Sequence, residues 1–160
     1  MLEGMIKTDL NIIEADSGSV YHGVKNTDKG FTKFGEVYFS SVKKNKIKAW
    51  KLHKEMILNL FVPIGSVQFY FVDGREKSKT YNKKFGIILS QNPYIRLTVP
   101  PGLWFGFRGI SEGLNIICNV ADIPHDPNEV LRKELNKIEI NSISDIINKL
   151  ILSRYYSLES

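Results

Sequence analysis

The chain has 160 residues, the size of one ordinary domain, which on folding buries roughly 70% of its unfolded surface. Hydrophobic residues make up 42% and charged residues 24%, which excludes a disordered chain, and no run of about 18 apolar residues marks a membrane span. The net charge of +5 is scattered over several lysine-bearing loops instead of forming a basic stripe with exposed aromatics, which argues against nucleic acid and suits a small anionic ligand.

The opening MLEGMIKTDLNIIEAD is acidic and interrupted, without the apolar core or cleavage site of a signal peptide. The lone Cys118 excludes an internal disulfide and a cysteine-based zinc site, so a cytoplasmic protein is the expected setting. GEVYFSSV (35–42) and KIKAWKLH (46–53) alternate as strands do, the second placing Ile47, Ala49, Lys51 and His53 on one face. MILNLFVPIG and SVQFYFVDGR follow, then FGIILS, YIRLTVPPG, LWFGFRG and LNIICNVAD. Turn residues recur at about 8 to 12 positions, the spacing of an all-β sandwich or barrel.

The end of the chain reads differently. In PHDPNEVLRKEL, Asp126 is an N-cap, Pro127 takes the first helical position and Glu129 stands three residues after the cap. SISDIINKLILSRYY (142–156) spaces Ile143, Ile146, Ile147, Leu150 and Ile151 as an amphipathic helix. The expectation is one mainly β domain over 1–160, a barrel over about 26–125 and a helical segment over about 126–158.

His53 is the first candidate for chemistry. A metal site needs about three protein ligands, and His53 with Glu55 supplies two, so no metal and no cofactor are expected. As a general base, an imidazole suits proton abstraction beside a carbonyl, and a nearby lysine stabilises the resulting enolate. The bland reading, a structural histidine on a strand, stands beside it. His22 and His125 lie in loop-like contexts and are expected at the surface. In RLTVPPGLWFGFRG, Trp104, Phe105 and Phe107 are either core or the lining of a mouth where a base or sugar ring stacks. Arg96 and Arg108 flank that segment and are suited to phosphate.

These landmarks, from TDKGFTKFGEVYFSSVKKNKIKAWKLH through FVDGR and RLTVPPGLWFGF to NVADIPHDPNE, resemble the dTDP-4-dehydrorhamnose 3,5-epimerase family over roughly residues 26 to 130. The resemblance implies a metal-free, dimeric barrel of the cupin type, a double-stranded β-helix or jelly roll. It implies inversion of stereocentres beside the 4-keto group of a nucleotide-linked sugar destined for surface polysaccharide. His53 matches the family's catalytic base, and Lys51 or Lys48 would hold the enolate oxygen. Lys29 stands where the family has an arginine, and Asp73 with Arg75 ends the central strand. Trp50 replaces the arginine before the histidine, and Phe105 replaces a second histidine. The family's catalytic tyrosine falls at or near Cys118, so the thiol of Cys118 or the hydroxyl of Tyr70 is the candidate acid. The family's central-strand aspartate falls near Phe69, and no match is found for the aspartate that pairs with the histidine. Lys29, Lys48, Trp50, Arg75, Arg96, Trp104, Phe105 and Arg108 are the candidate substrate-binding residues. The expected partner is a nucleotide-diphosphate sugar, with neither nucleic acid nor membrane, and the expected assembly is a homodimer. The alternatives are a sugar-nucleotide or carbohydrate binding module that has lost the chemistry, and a sugar ketoisomerase on the same barrel.

Overall fold

The computed structural model describes residues 1–138. Twelve strands appear among them in chain order: β1 (Ile6–Asp9), β2 (Ile12–Ile13), β3 (Val20–Tyr21), β4 (Glu36–Ser41), β5 (Ile47–His53) and β6 (Leu58–Ile64) come first. β7 (Ser66–Asp73), β8 (Lys84–Ser90), β9 (Ile95–Val99), β10 (Leu103–Gly109), β11 (Ile116–Ala121) and β12 (Val130–Arg132) follow. They pair antiparallel into two five-stranded sheets, β1-β9-β6-β11-β4 and β12-β5-β10-β7-β8, with β2 and β3 as a separate ribbon. The mainly β architecture expected from the turn spacing is therefore present, in the jelly-roll form that the resemblance implies.

Alternation decides what lies between the sheets. Leu58, Leu60, Val62 and Leu97 from the first sheet meet Phe69, Phe71, Leu89 and Phe105 from the second in one buried cluster. Phe71 stacks on Phe69 and on Phe105, each with ring centroids 6.2 Å apart, which stiffens the second sheet. Each such side chain contributes about 1.5–3 kcal/mol on burial. Trp50 and Tyr70 project to the outer face of the second sheet and are covered there by Trp104 and Ile138.

Gly65 makes the β6–β7 turn with φ +78°, and a Cβ there would stand 2.5 Å from the Asn115 Oδ1 that accepts the Ser66 N–H. Gly102, at φ +82° after the paired prolines, leaves no room for a side chain beside Arg75. Both turns aim long strands back across the barrel.

Two features differ from the sequence reading. The first sheet begins at β1, so the sheets recruit residues ahead of position 26. The helix expected from Asp126 is a single 3-10 turn, Pro127–Glu129, followed by β12. Asp126 does cap it, accepting the Asn128 N–H at 2.8 Å. Glu129, however, turns inward to His53 in place of closing a capping box, and its carbonyl accepts the Lys54 N–H, which commits the next residues to pairing with β5. The helix expected over 142–156 lies outside the described residues. No helix among the described residues is long and apolar enough to cross a membrane.

Candidate active site

β5 carries Lys51 and His53 on its cleft face and sits between β10 and β12. Register sets Arg132, Lys51 and Phe105 in one row across those three strands. His53, only 6% exposed, stacks on Phe105 with centroids 5.8 Å apart and planes 19° from parallel. Its Nδ1 is hydrogen-bonded to the Glu129 carboxylate. The other Glu129 oxygen accepts the backbone N–H groups of Lys54 at 3.0 Å and Glu55 at 3.2 Å. Burial alone would raise the Glu129 carboxyl, but the bond from His53 and those from the backbone outweigh it and hold it below its ordinary value. A carboxylate accepting at Nδ1 leaves Nε2 as the ring nitrogen with a free lone pair.

His53 opens onto a chamber of about 350 Å³ that it shares with Glu36, Tyr38, Lys51, His125 and Arg132. A larger cleft of about 640 Å³ adjoins it, with Tyr38, Lys51 and Arg132 common to both, a volume that suits a drug-sized ligand. The cleft floor is apolar, from Leu58, Leu60 and Ile117 of one sheet and Phe69, Phe105 and Phe107 of the other. Lys48 and Lys133 stand at its border.

Facing His53 from the opposite sheet is Tyr38. On β4, alternation turns Glu36, Tyr38 and Ser40 to the cleft and Val37 and Phe39 outward. Burial raises the Tyr38 hydroxyl above its ordinary value, and the Glu36 and Glu129 carboxylates add to this. The Asn119 amide opposes the shift from hydrogen-bonding range of the hydroxyl, although its present geometry falls short of a well-formed bond. Tyr38 is therefore protonated at neutral pH. Burial lowers the Lys51 ammonium, and the positive charges of Arg132 and Lys48 lower it further, which makes this rim a place for an anion.

The structure separates the residues nominated from sequence. His53, Lys51, Lys48 and Phe105 line the cleft or its chamber, and Trp50 borders it while its ring packs outward with Tyr70. Tyr70 is turned from the cleft, its hydroxyl donating to Gln68 at 2.6 Å. Cys118 points to the outer face of β11, packed with Phe61 and Tyr94, and burial pushes its thiol up to about 11. Neither group faces His53, because each sits one residue out of phase with the inward set. Trp104 lies on the outer face under the Lys133 ammonium, 4.3 Å above the ring. Arg75 is held by Asp73 through Nε and Nη2, and Arg96, fully buried, by Asp28 and the Gly23 and Lys29 carbonyls. Lys29 is exposed, and Arg108 pairs with Gln68 on the same outward face as Tyr70. Ion pairing and strand phase thus keep these cations from the cleft. Missed by sequence were Tyr38, Asn119, Glu129 and Arg132. Alternation along GEVYFSSV carried the signal for Tyr38, whereas Glu129 was hidden behind its reading as a capping residue. His125, expected at the surface, is exposed and also borders the chamber. Among the described residues no three His, Cys, Asp or Glu side chains gather to hold a metal.

The carboxylate-held histidine inside the mouth of this jelly roll is placed to move protons on a small ligand, and solved structures of a sugar isomerase and a sugar epimerase share the fold. A dTDP sugar isomerase from Desulfovibrio desulfuricans G20 superposes with a TM-score of 0.81 at 35% identity, over 83% of this chain and 85% of that one. The dTDP-4-dehydrorhamnose 3,5-epimerase of Elizabethkingia anophelis NUHP1 shares the fold, with a TM-score of 0.71 at 21% identity over 84% and 78% of the two chains. The spore coat polysaccharide biosynthesis protein SpsL of Bacillus subtilis strain 168 is 24% identical over 135 residues, 84% of this chain and 89% of that protein. No protein-family model matches the sequence. The chain belongs to the family of dTDP-sugar isomerases.

Proposed function

We propose that this protein is an epimerase of a 4-keto, nucleotide-linked deoxysugar, with dTDP as the nucleotide, in the assembly of a surface polysaccharide. One observation carries the reading: His53, its Nδ1 held by Glu129, and Tyr38 enter one chamber from opposite sheets. Inversion at carbon needs a base on one face of the ring and an acid on the other. His53 Nε2 takes the proton from the carbon beside the ketone. The C–H electron pair becomes the C=C bond and the carbonyl π pair moves to oxygen as an enolate. The Tyr38 hydroxyl returns a proton to the opposite face, and water restores both groups. Lys51 and Arg132 take the pyrophosphate at the rim, where the cations that border the cleft are gathered.

A second reading, a sugar ketoisomerase, is favoured by the 35% identity to a protein named an isomerase. It uses the same enolisation but returns the proton to a different carbon. Incubation in deuterium oxide with a panel of dTDP-linked 4-keto-6-deoxy sugars tests both. Deuterium beside the ketone with an inverted centre supports the epimerase, and a migrated ketone supports the ketoisomerase. Binding without exchange or turnover would leave the non-catalytic module instead.

The family resemblance also implies a homodimer. β4 ends its sheet with Val37 and Phe39 exposed at 48% and 65%, an apolar edge that such pairing would cover. Light scattering gives the mass in solution. A cytoplasmic setting accords with the free, buried Cys118.

A further inference from the structure

Asn119 is a buried polar side chain of the cleft that the proposed proton transfers leave unused. It is 1% exposed and lies on β11 directly across from Tyr38 of β4. Its Oδ1 accepts the backbone N–H of Asn59 at 3.1 Å, which fixes the amide's orientation, because a flipped amide would set two donors against each other. Asn119 lines the cleft wall beside the Tyr38 hydroxyl, and its Nδ2, itself covered from solvent, makes no hydrogen bond of proper geometry among the described residues. A buried donor left unmade carries a desolvation penalty. With Oδ1 committed, only a hydrogen-bond acceptor fits against Nδ2.

We infer that Asn119 Nδ2 donates to the ketone oxygen of the sugar and holds the negative charge that collects there as His53 removes the proton. This rests on the epimerase or ketoisomerase reading and deepens it. The geometry favours this oxygen over a ring hydroxyl because of the neighbour. The enolate oxygen and the carbon that Tyr38 protonates are two bonds apart, so the groups serving them must stand side by side. Cross-strand partners on one face have Cβ atoms about 4.5–5.5 Å apart, the spacing that this requires. A fixed amide also needs no reorganisation as charge develops, unlike the flexible Lys51 ammonium, which leaves Lys51 free for phosphate.

The test compares wild type with Asn119→Asp, which keeps the acceptor for the Asn59 N–H and removes the donor. Solvent deuterium exchange beside the ketone is expected to fall about 10²–10³-fold, as on loss of one oxyanion donor. Calorimetric affinity for dTDP is expected to stay within about threefold. Tyr38→Phe runs in parallel, and there exchange on the His53 face persists while inversion is lost. Exchange in Asn119→Asp within about threefold of wild type would overturn the inference. So would persistent exchange with lost inversion, since Asn119 would then act only through Tyr38. Asn119→Ala, read by the same two measurements, serves if the carboxylate prevents folding. Absence of exchange in the wild type with every sugar would instead defeat the underlying reading, so the two failures are distinct.

Discussion

His53 Nδ1 is bonded to a carboxylate of Glu129, 76 residues further along the chain, and both side chains are more than nine-tenths buried. This contact fixes the ring's orientation and tautomer, and it recruits β12 as the strand beside β5. The same carboxylate ties the 54–56 backbone through its second oxygen, so the proposed base stands on a rigid support.

The base is tested first. His53→Gln is expected to lower exchange beside the ketone by about 10²–10⁴-fold while dTDP binding persists. Glu129→Gln should lose much of that exchange too, because a glutamine amide offers a donor where the imidazole needs an acceptor. Proton exchange followed by nuclear magnetic resonance reads both, and full exchange in His53→Gln would remove His53 from the mechanism.

Acid stability follows from Glu129. Its folded value lies below the ordinary 4.5, so its contribution is complete above that pH and is lost as pH falls through the folded value. Melting temperature should therefore drop more steeply between about pH 5 and pH 3 in wild type than in Glu129→Gln. Parallel curves for the two proteins would contradict this.

On the proposed function, the rim cations set affinity for the nucleotide. Lys51→Met and Arg132→Met are each expected to weaken dTDP about tenfold or more, the loss of one charge-assisted bond, with little change in exchange at saturation. Wild-type affinity should fall more steeply with salt than that of either variant, measured by titration calorimetry at two ionic strengths.

Asp73 is a structural anchor. Fully buried, it accepts from Arg75, Ser78 and Thr80, which hold its carboxyl well below the usual range against the burial that would raise it. Arg75 in turn reaches the Glu3 carbonyl at 2.6 Å and ties down the N-terminal segment. Asp73→Asn should cost about 2–3 kcal/mol in urea denaturation, less than the about 3–5 of a fully buried pair because the Arg75 side chain stays 27% exposed.

Cys118 should be inert. With its thiol pushed up to about 11, roughly one molecule in 10⁴ carries a thiolate at neutral pH. A disulfide reagent should label it only after denaturation, and rapid labelling of the folded protein would place the thiol elsewhere.

Local pattern carried much of the architecture. Period-two alternation with Gly65 and the Pro100-Pro101-Gly102 turn defined strands and their inward faces, because side-chain direction in a strand is set by position alone. The same rule put Lys51 and His53 on one face, as found. Applied strictly, it would have turned Tyr70 and Cys118 outward and Tyr38 inward. The family resemblance points to the former pair instead.

The rest depended on distance along the chain. Asp126-Pro127 signals a helix start locally, and it delivers one turn. Whether the turn continues was decided by His53, which offers Glu129 a buried partner stronger than a capping bond. Likewise nothing in the local sequence tells Arg75 and Arg96 from Arg132, yet Asp73 and Asp28 neutralise the first two while the third borders the cleft. The sequence by itself determined the strands, their faces and the one histidine suited to the chemistry. Only the tertiary structure decided which groups stand across from that histidine, because sheet pairing brings together residues that the chain keeps far apart.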